Sequence, residues 1–227
     1  MAFAGTAFLI LWHDLAEEGE REYHLWHTRE HMPERVGHPG FLRARRGVNW
    51  NLSYQRYLTI YEGESLESFR SDAYYRSLNS PTEWTTRVAP HFRNFLRMAC
   101  ARHLSRGRGV GGAVSTYRCN LPEGRSEAEA TKALEAVVDQ VMEIPEVSAA
   151  HIGVARPEYS DIPTRETELR PRMQESPFDM VLVVEGIGLT ELTRVDADIS
   201  AKVVATGLTG IKSHVYDMAY LLAKGTG

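Results

Sequence analysis

The segment Tyr57-Leu58-Thr59-Ile60-Tyr61-Glu62-Gly63-Glu64-Ser65-Leu66 has a shortened echo at Glu185-Gly186-Ile187-Gly188-Leu189, 123 positions later (185 − 62). In the first copy Tyr57, Thr59 and Tyr61 alternate with Leu58 and Ile60, the two-residue period of a strand. Ser65 is placed to cap a helix that starts at Leu66. In the second copy an apolar strand again runs into Glu-Gly and a helix again follows. Three identities in a five-residue window are few, but the elements around them recur in the same order, as an internal duplication requires.

Outward from the first copy, residues 6–13 read as a buried strand and 18–35 as a helix. A turn at His38-Pro39-Gly40 leads into a strand at 41–49, followed by the strand at 55–62. Pro81 and Pro90 break the helical stretch after Leu66, and 95–104 is the last strand of this half. The second half starts with a strand at 113–120. Ser126 and Glu129 form a capping box for a helix carrying Leu134, Val137, Val138, Val141 and Met142 on one face. Strands at 147–155 and 179–186, a helix at 189–205 and a strand at 211–222 complete it.

The order is strand-helix-strand-strand-helix-strand, twice. Each unit is a ferredoxin-like α+β fold, an antiparallel sheet with both helices on one face. The bare faces must be covered, so the two sheets are expected to pack as a barrel-like sandwich within one chain, with room for a small ligand between them. Gly107, Gly109, Gly111 and Gly112 mark the boundary, giving units at 1–108 and 109–227. As a phosphate loop this glycine run fails, because the strand-like AVSTYRC follows it where a helix is needed.

With 43% hydrophobic and 25% charged residues, the chain has the composition of an ordinary globular protein. Its longest apolar run, Phe8–Trp12, is far too short to span a membrane. Acidic residues follow that run and no positive charge precedes it, so a first strand is expected rather than a signal peptide, and a cytoplasmic setting with it. Cys100 and Cys119 fall in different strands and read as buried free thiols, too few for a disulfide framework or a structural zinc site. The net charge of −4 opposes nucleic-acid binding. It is unevenly spread: residues 1–110 hold 15 Arg against 12 Asp+Glu, and the remainder 11 Lys+Arg against 18 Asp+Glu. Seven of the nine histidines lie in the first part.

The segment Trp26-His27-Thr28-Arg29-Glu30-His31-Met32-Pro33-Glu34-Arg35, followed by Pro39-Gly40-Phe41, resembles the dimeric α/β-barrel superfamily, and within it the EthD-like proteins and their relatives. Trp26, Glu30, His31, Pro33, Glu34, Pro39, Gly40 and Phe41 carry the match; His27 stands where an aromatic residue is common. The resemblance implies an intrachain dimeric α/β-barrel. It does not select an activity, because the superfamily holds monooxygenases, isomerases, cyclases and haem enzymes.

His24, His27 and His31 fall on one side of the expected helix. His27-x-x-Glu30-His31 also spells the string of inverted zinc proteases, but no third ligand stands out, and no metal is expected. His31 is the candidate general acid or base, with His27 as helper and Glu34 able to set its tautomer. Its alternative use is a hydrogen bond that fixes the helix end. Glu30 is assigned to a turn or salt bridge.

Arg43 and Arg45 share one strand face, with Arg46 on the other, and are candidate binders of an anionic or carbonyl-bearing ligand. Tyr57, Tyr61 and Trp26 are candidate ligand-binding aromatics, with core packing as their alternative. Tyr74, Tyr75, Trp84 and His91 are assigned to packing. The long segment 156–178, with Pro157, Pro163 and Pro171, is either a surface loop or a lid in which Thr167, Glu168 and Arg170 form a short helix.

The leading expectation is an enzyme with no organic cofactor that acts on a small hydrophobic, oxygenated molecule by histidine proton transfer, as an isomerase, cyclase, dehydratase or oxygenase would. The rivals are a non-catalytic ligand-binding or stress-related barrel, and a haem protein using His27, His31, His91 or His103. Open strand edges also allow a homodimer.

Overall fold

Pairing along the first strand fixes which side carries the helices. In the computed structural model, which describes residues 3–170 and 177–225, β1 (Ala7–Leu15) runs antiparallel to β3 (Tyr57–Gly63). Leu9 faces Tyr61, Leu11 faces Thr59 and His13 faces Tyr57, while Phe8, Ile10 and Trp12 alternate onto the opposite face. β2 (Phe41–Val48) extends the sheet and puts Ala44, Arg46 and Val48 opposite Tyr61, Thr59 and Tyr57. Opposed residues share a face. Leu9 and Tyr61 pack in one apolar cluster with Met32 and Val36, and Leu15 and Tyr57 in another with Tyr23 and Trp26. The tyrosine face therefore lies under the helices.

The first helix begins as α1 (Glu17–Trp26), passes through a π-helical turn at His27–His31 and continues as α2 (Met32–Gly37). The Met32 amide donates to the His27 carbonyl, the i→i+5 bond that defines the wide turn. At Gly40 the backbone takes φ +80, and an added Cβ would lie 2.4 Å from Ser68 Oγ, so the Pro39-Gly40-Phe41 turn needs glycine. Ser65 caps a 3₁₀ turn at Leu66–Arg70, not an α-helix; α3 (Asp72–Leu78) and α4 (Glu83–Val88) follow, capped by Ser71 and Thr82. β4 (Phe92–Gly107) is longer than its apolar core suggests.

The second half holds β5 (Ala113–Asn120), α5 (Glu127–Val141), β6 (Val147–Ala155), α6 (Arg165–Leu169), β7 (Met180–Gly186), α7 (Leu189–Val204) and β8 (Thr209–Ala223). The Ser126/Glu129 capping box is present, and Leu134, Val138 and Val141 are fully buried. Each such side chain contributes about 1.5–3 kcal/mol relative to exposure. The eight strands follow the closed, antiparallel order β1-β3-β2-β8-β5-β7-β6-β4, so the fold is α+β with two ferredoxin-like units in a barrel. Packing divides the described residues into one unit of 4–99, 156–170, 177 and 219–225 and another of 3, 100–155 and 178–218, so β4 and β8 each contribute to both.

The repeated Glu-Gly has a structural use in each unit. Glu62, fully buried, accepts from the Ala4 amide at 2.6 Å and pairs with Arg45 Nε at 2.9 Å and Arg43 Nη2 at 2.7 Å. Glu185, also fully buried, accepts from the Gly111 amide at 2.7 Å and meets His151 Nε2 at 3.0 Å. The ring's Nδ1 lies 2.8 Å from Ser105 Oγ. Arg45 pairs in register with Ile60, and His151 with Val183, so both partners stand two positions from their glutamate. An added Cβ would lie 2.9 Å from Phe69 Cζ at Gly63 and 3.0 Å from Leu192 Cδ1 at Gly186, each contact six residues on.

Candidate active site

Beneath the π-helical turn, within one unit, Leu11, His13, Trp26, His27, His31, Thr59, Tyr61, Thr85, Phe92, Phe95, Glu166 and Arg170 enclose a cavity of about 20 Å³. That is room for one water molecule. β1 and β3 present His13, Thr59 and Tyr61 from the sheet. The helix presents Trp26, His27 and His31, and the wide turn carries both His27 and His31. Their rings stack with centroids 5.6 Å apart, and the Trp26 ring packs against both, 4.2 Å from His31 and 5.8 Å from His27.

Hydrogen bonds fix two tautomers. Arg46 Nη1, a donor in every state, approaches His27 Nδ1 at 3.4 Å, so that nitrogen accepts and Nε2–H points to the Tyr61 hydroxyl at 3.5 Å. His13 Nδ1 lies 3.3 Å from the Asp14 carbonyl and donates to it, leaving Nε2 to accept from the Tyr23 hydroxyl at 3.1 Å. His31 differs: its Nδ1 is buried and has no hydrogen-bond partner among the described residues.

All three imidazoles are held neutral. Burial drives His13 down to about 3, against smaller upward effects from Asp14. Burial and the neighbouring His31 and Arg46 lower His27; burial and Arg35, Arg170 and Arg97 lower His31. Burial alone would raise the Glu166 carboxyl, but Arg35, Arg170 and Arg97 outweigh it and hold it low. Glu166 is bonded by Arg35 Nη2 through Oε2 and by Arg170 Nη2 through Oε1 at 2.7 Å. An ionised carboxylate therefore sits beside neutral histidines.

The residues singled out in the sequence separate into groups. Trp26, His27, His31 and Tyr61 line the cavity. Tyr57 shares their sheet face but donates to Glu20 Oε1 at 2.5 Å instead of joining the wall. Arg43 and Arg45 are on the opposite face, on Glu62, and it is Arg46 that reaches the histidines. Glu34 is half-buried and ion-paired to Arg35 at 3.4 Å, outside the cavity wall. Glu30 accepts from Thr82 Oγ1 at 2.6 Å, tying the π turn to the cap of α4. His103 is half-exposed against Glu135 at 2.6 Å. Among the described residues no cluster of three His, Cys, Asp or Glu is placed to hold a metal.

The carboxylate of the site, Glu166, was not foreseen. The short helix expected in the long segment is present as α6, with Glu166 and Arg170 in the cavity wall, while Pro171 falls outside the described residues. Next to the small cavity, and sharing Phe95 and Arg170 with it, is a larger one of about 560 Å³. Arg97, Met98, Pro157, Ile162 and Pro163 also line it, and its walls are mainly apolar.

No family model matches this chain, and no curated protein matches it in sequence. Solved structures do. An anthrone oxidase-like protein superposes with a TM-score of 0.66 at 13% identity, over 96% of this chain and 93% of its own. A candidate monooxygenase of Fusobacterium nucleatum gives 0.57 at 12% identity, over 98% and 97%. Another from Lactobacillus acidophilus gives 0.55 at 11%, over 97% of each chain. Among the described residues no helix is long and apolar enough to cross a membrane. Identities this low speak to architecture alone, and with the closed eight-strand order they give this chain the dimeric α/β-barrel fold.

Proposed function

We propose that this chain is an enzyme that needs no organic cofactor and abstracts a proton from a small, apolar, oxygenated molecule, with His31 as the base. The observation that carries this reading is the buried Nδ1 of a neutral His31, without a partner among the described residues, on a residue that lines a cavity. A neutral imidazole keeps one unprotonated nitrogen, available as a base throughout the neutral range; burial weakens that base, so the step relies on stabilisation of the anion it leaves. His27 supports the ring by stacking, and its Nε2–H, directed to Tyr61, makes that hydroxyl a polarised neighbour. The positive charge of Arg35 and Arg170 stabilises the enolate or phenolate left behind.

Among the activities named in the sequence reading, an oxygenase receives support from the similar structures described as anthrone oxidase-like and monooxygenase. A ketone methylene deprotonated at His31 would give an enolate. Reaction with O₂ would convert CH₂ to C=O with release of one water. Cytoplasmic location and a homodimer belong to the same proposal.

One observation favours a second reading, a non-catalytic ligand-binding barrel: the histidine cavity is only about 20 Å³. Residues packed this closely do not fit a haem, and no step is assigned to one. The test uses anthrone, the ketone named by a similar structure. Under nitrogen in heavy water, the wild type is expected to accelerate exchange of the anthrone methylene; in air it is expected to consume O₂. His31→Asn should lose both. Catalysis unaffected by His31→Asn would remove His31 as the base, and a wild type that neither accelerates exchange nor consumes O₂ would leave the binding reading in place.

A further inference from the structure

We infer that the larger cavity binds the body of an anionic, mainly apolar small molecule whose oxyanion is read by Arg97 and Arg170. This deepens the substrate class of the proposed site and rests on that reading for its placement beside His31. Its volume of about 560 Å³ is that of a drug-sized ligand site. Phe95, Met98, Pro157, Ile162 and Pro163 give it apolar walls, while Arg97 and Arg170 bring two guanidinium groups to them.

The charges do not balance locally. Arg170 shares Glu166 with Arg35, and its guanidinium lies 4.6 Å from the centre of the Phe95 ring. Among the described residues Arg97 has no carboxylate within ion-pair distance. Among the described residues, its hydrogen bonds run to the Ser160 carbonyl at 2.9 Å and the Tyr74 hydroxyl at 3.1 Å, both neutral oxygens. Three guanidinium groups thus act on the one buried carboxylate of Glu166. Asp161, the acidic residue in the larger cavity's wall, is exposed. A carboxylate or similar oxyanion arriving between Arg97 and Arg170 would supply the missing negative charge through charge-assisted, bidentate bonds.

Arg170 is also placed to decide access. It belongs to the walls of both cavities, held between Glu166 and Phe95. Transfer of its guanidinium from Glu166 to a ligand oxyanion would open the partition toward His31. Selection by charge and opening of the inner cavity would then be one event. A carbonyl oxygen, such as that of anthrone, would draw the same guanidinium more weakly than an oxyanion does.

The test compares 2-naphthoate with the neutral 2-naphthamide, of nearly the same shape, by isothermal titration of the full chain at pH 7.5. The expected result is about tenfold tighter binding of the naphthoate. Arg97→Gln should reduce that preference to near unity, and His31→Asn should retain it. Equal affinity for the two probes, or a preference untouched by Arg97→Gln, overturns the inference. Circular dichroism of each variant separates loss of fold from loss of the site. Naphthoate preference in wild type and His31→Asn, together with anthrone chemistry indifferent to His31→Asn, would sink the base reading and leave the anion site standing.

Discussion

Acidification from pH 7.5 to 5 should destabilise this protein steeply, because three imidazoles must stay neutral in the folded chain. Burial lowers His13 to about 3 and takes His27 and His31 well below their ordinary value, whereas all three return to about 6.5 on unfolding. Below pH 6.5 the unfolded chain takes up protons that the native chain refuses. Stability is therefore fully present above 6.5 and lost as pH falls, at about 1.4 kcal/mol per pH unit for each histidine. For three the slope is about 4 kcal/mol per pH unit. A domain stable by about 5–15 kcal/mol would approach its midpoint within two or three pH units. The Glu166 carboxyl, held low by its arginines, adds loss of the same sign, but only within the carboxylate range. Urea melts at half-unit intervals give the slope directly. His13→Gln, which removes one titrating ring, should make the slope shallower by about a third. Stability that is flat between pH 6.5 and 5, or assigned His13, His27 and His31 ring resonances titrating near 6.5, would refute the buried neutral histidines.

Glu166→Gln leaves the Arg35 and Arg170 guanidinium groups beside a neutral amide in a buried site, and should cost about 3–5 kcal/mol in urea melts. Gly19→Ala would place a Cβ 2.5 Å from the His91 Cβ, where α1 meets the segment before β4. Thermal melts should show a loss of about 1–3 kcal/mol from overpacking. Leu134→Ala, in the centre of the α5 core, should cost about 2–5 kcal/mol by cavity formation.

The architecture was legible because its signals are local. The two-residue period of β3, the capping box of α5 and the recurrent Glu-Gly need only neighbouring residues, and the buried Glu62 and Glu185 show why that pair recurs. The parity of Arg43 and Arg45 against Arg46 was readable for the same reason. Which face would meet the histidines was not readable, since it depends on where the helices pack. His27 and His31 were found by helical spacing, but the π turn that carries them has no comparable sequence period. Glu166 reaches the site from 131 residues beyond Arg35, on a five-residue helix inside a long loop. No periodicity marks such a contact. Glu34 was the nearer carboxylate in sequence, yet its charge goes to Arg35.

The measurement closest to the central claim is the pH–rate profile of anthrone methylene exchange under nitrogen, in wild type and His31→Asn. A base whose proton affinity is lowered by burial and by Arg35, Arg170 and Arg97 stays active below the ordinary histidine range. The wild-type rate should therefore hold a plateau from pH 8 to below 6.5 and fall only in stronger acid. His31→Asn should be slower by about 10²–10⁴-fold at every pH. A wild-type profile that halves near pH 6.5, or a rate that survives His31→Asn unchanged, would contradict a buried neutral His31 as the base.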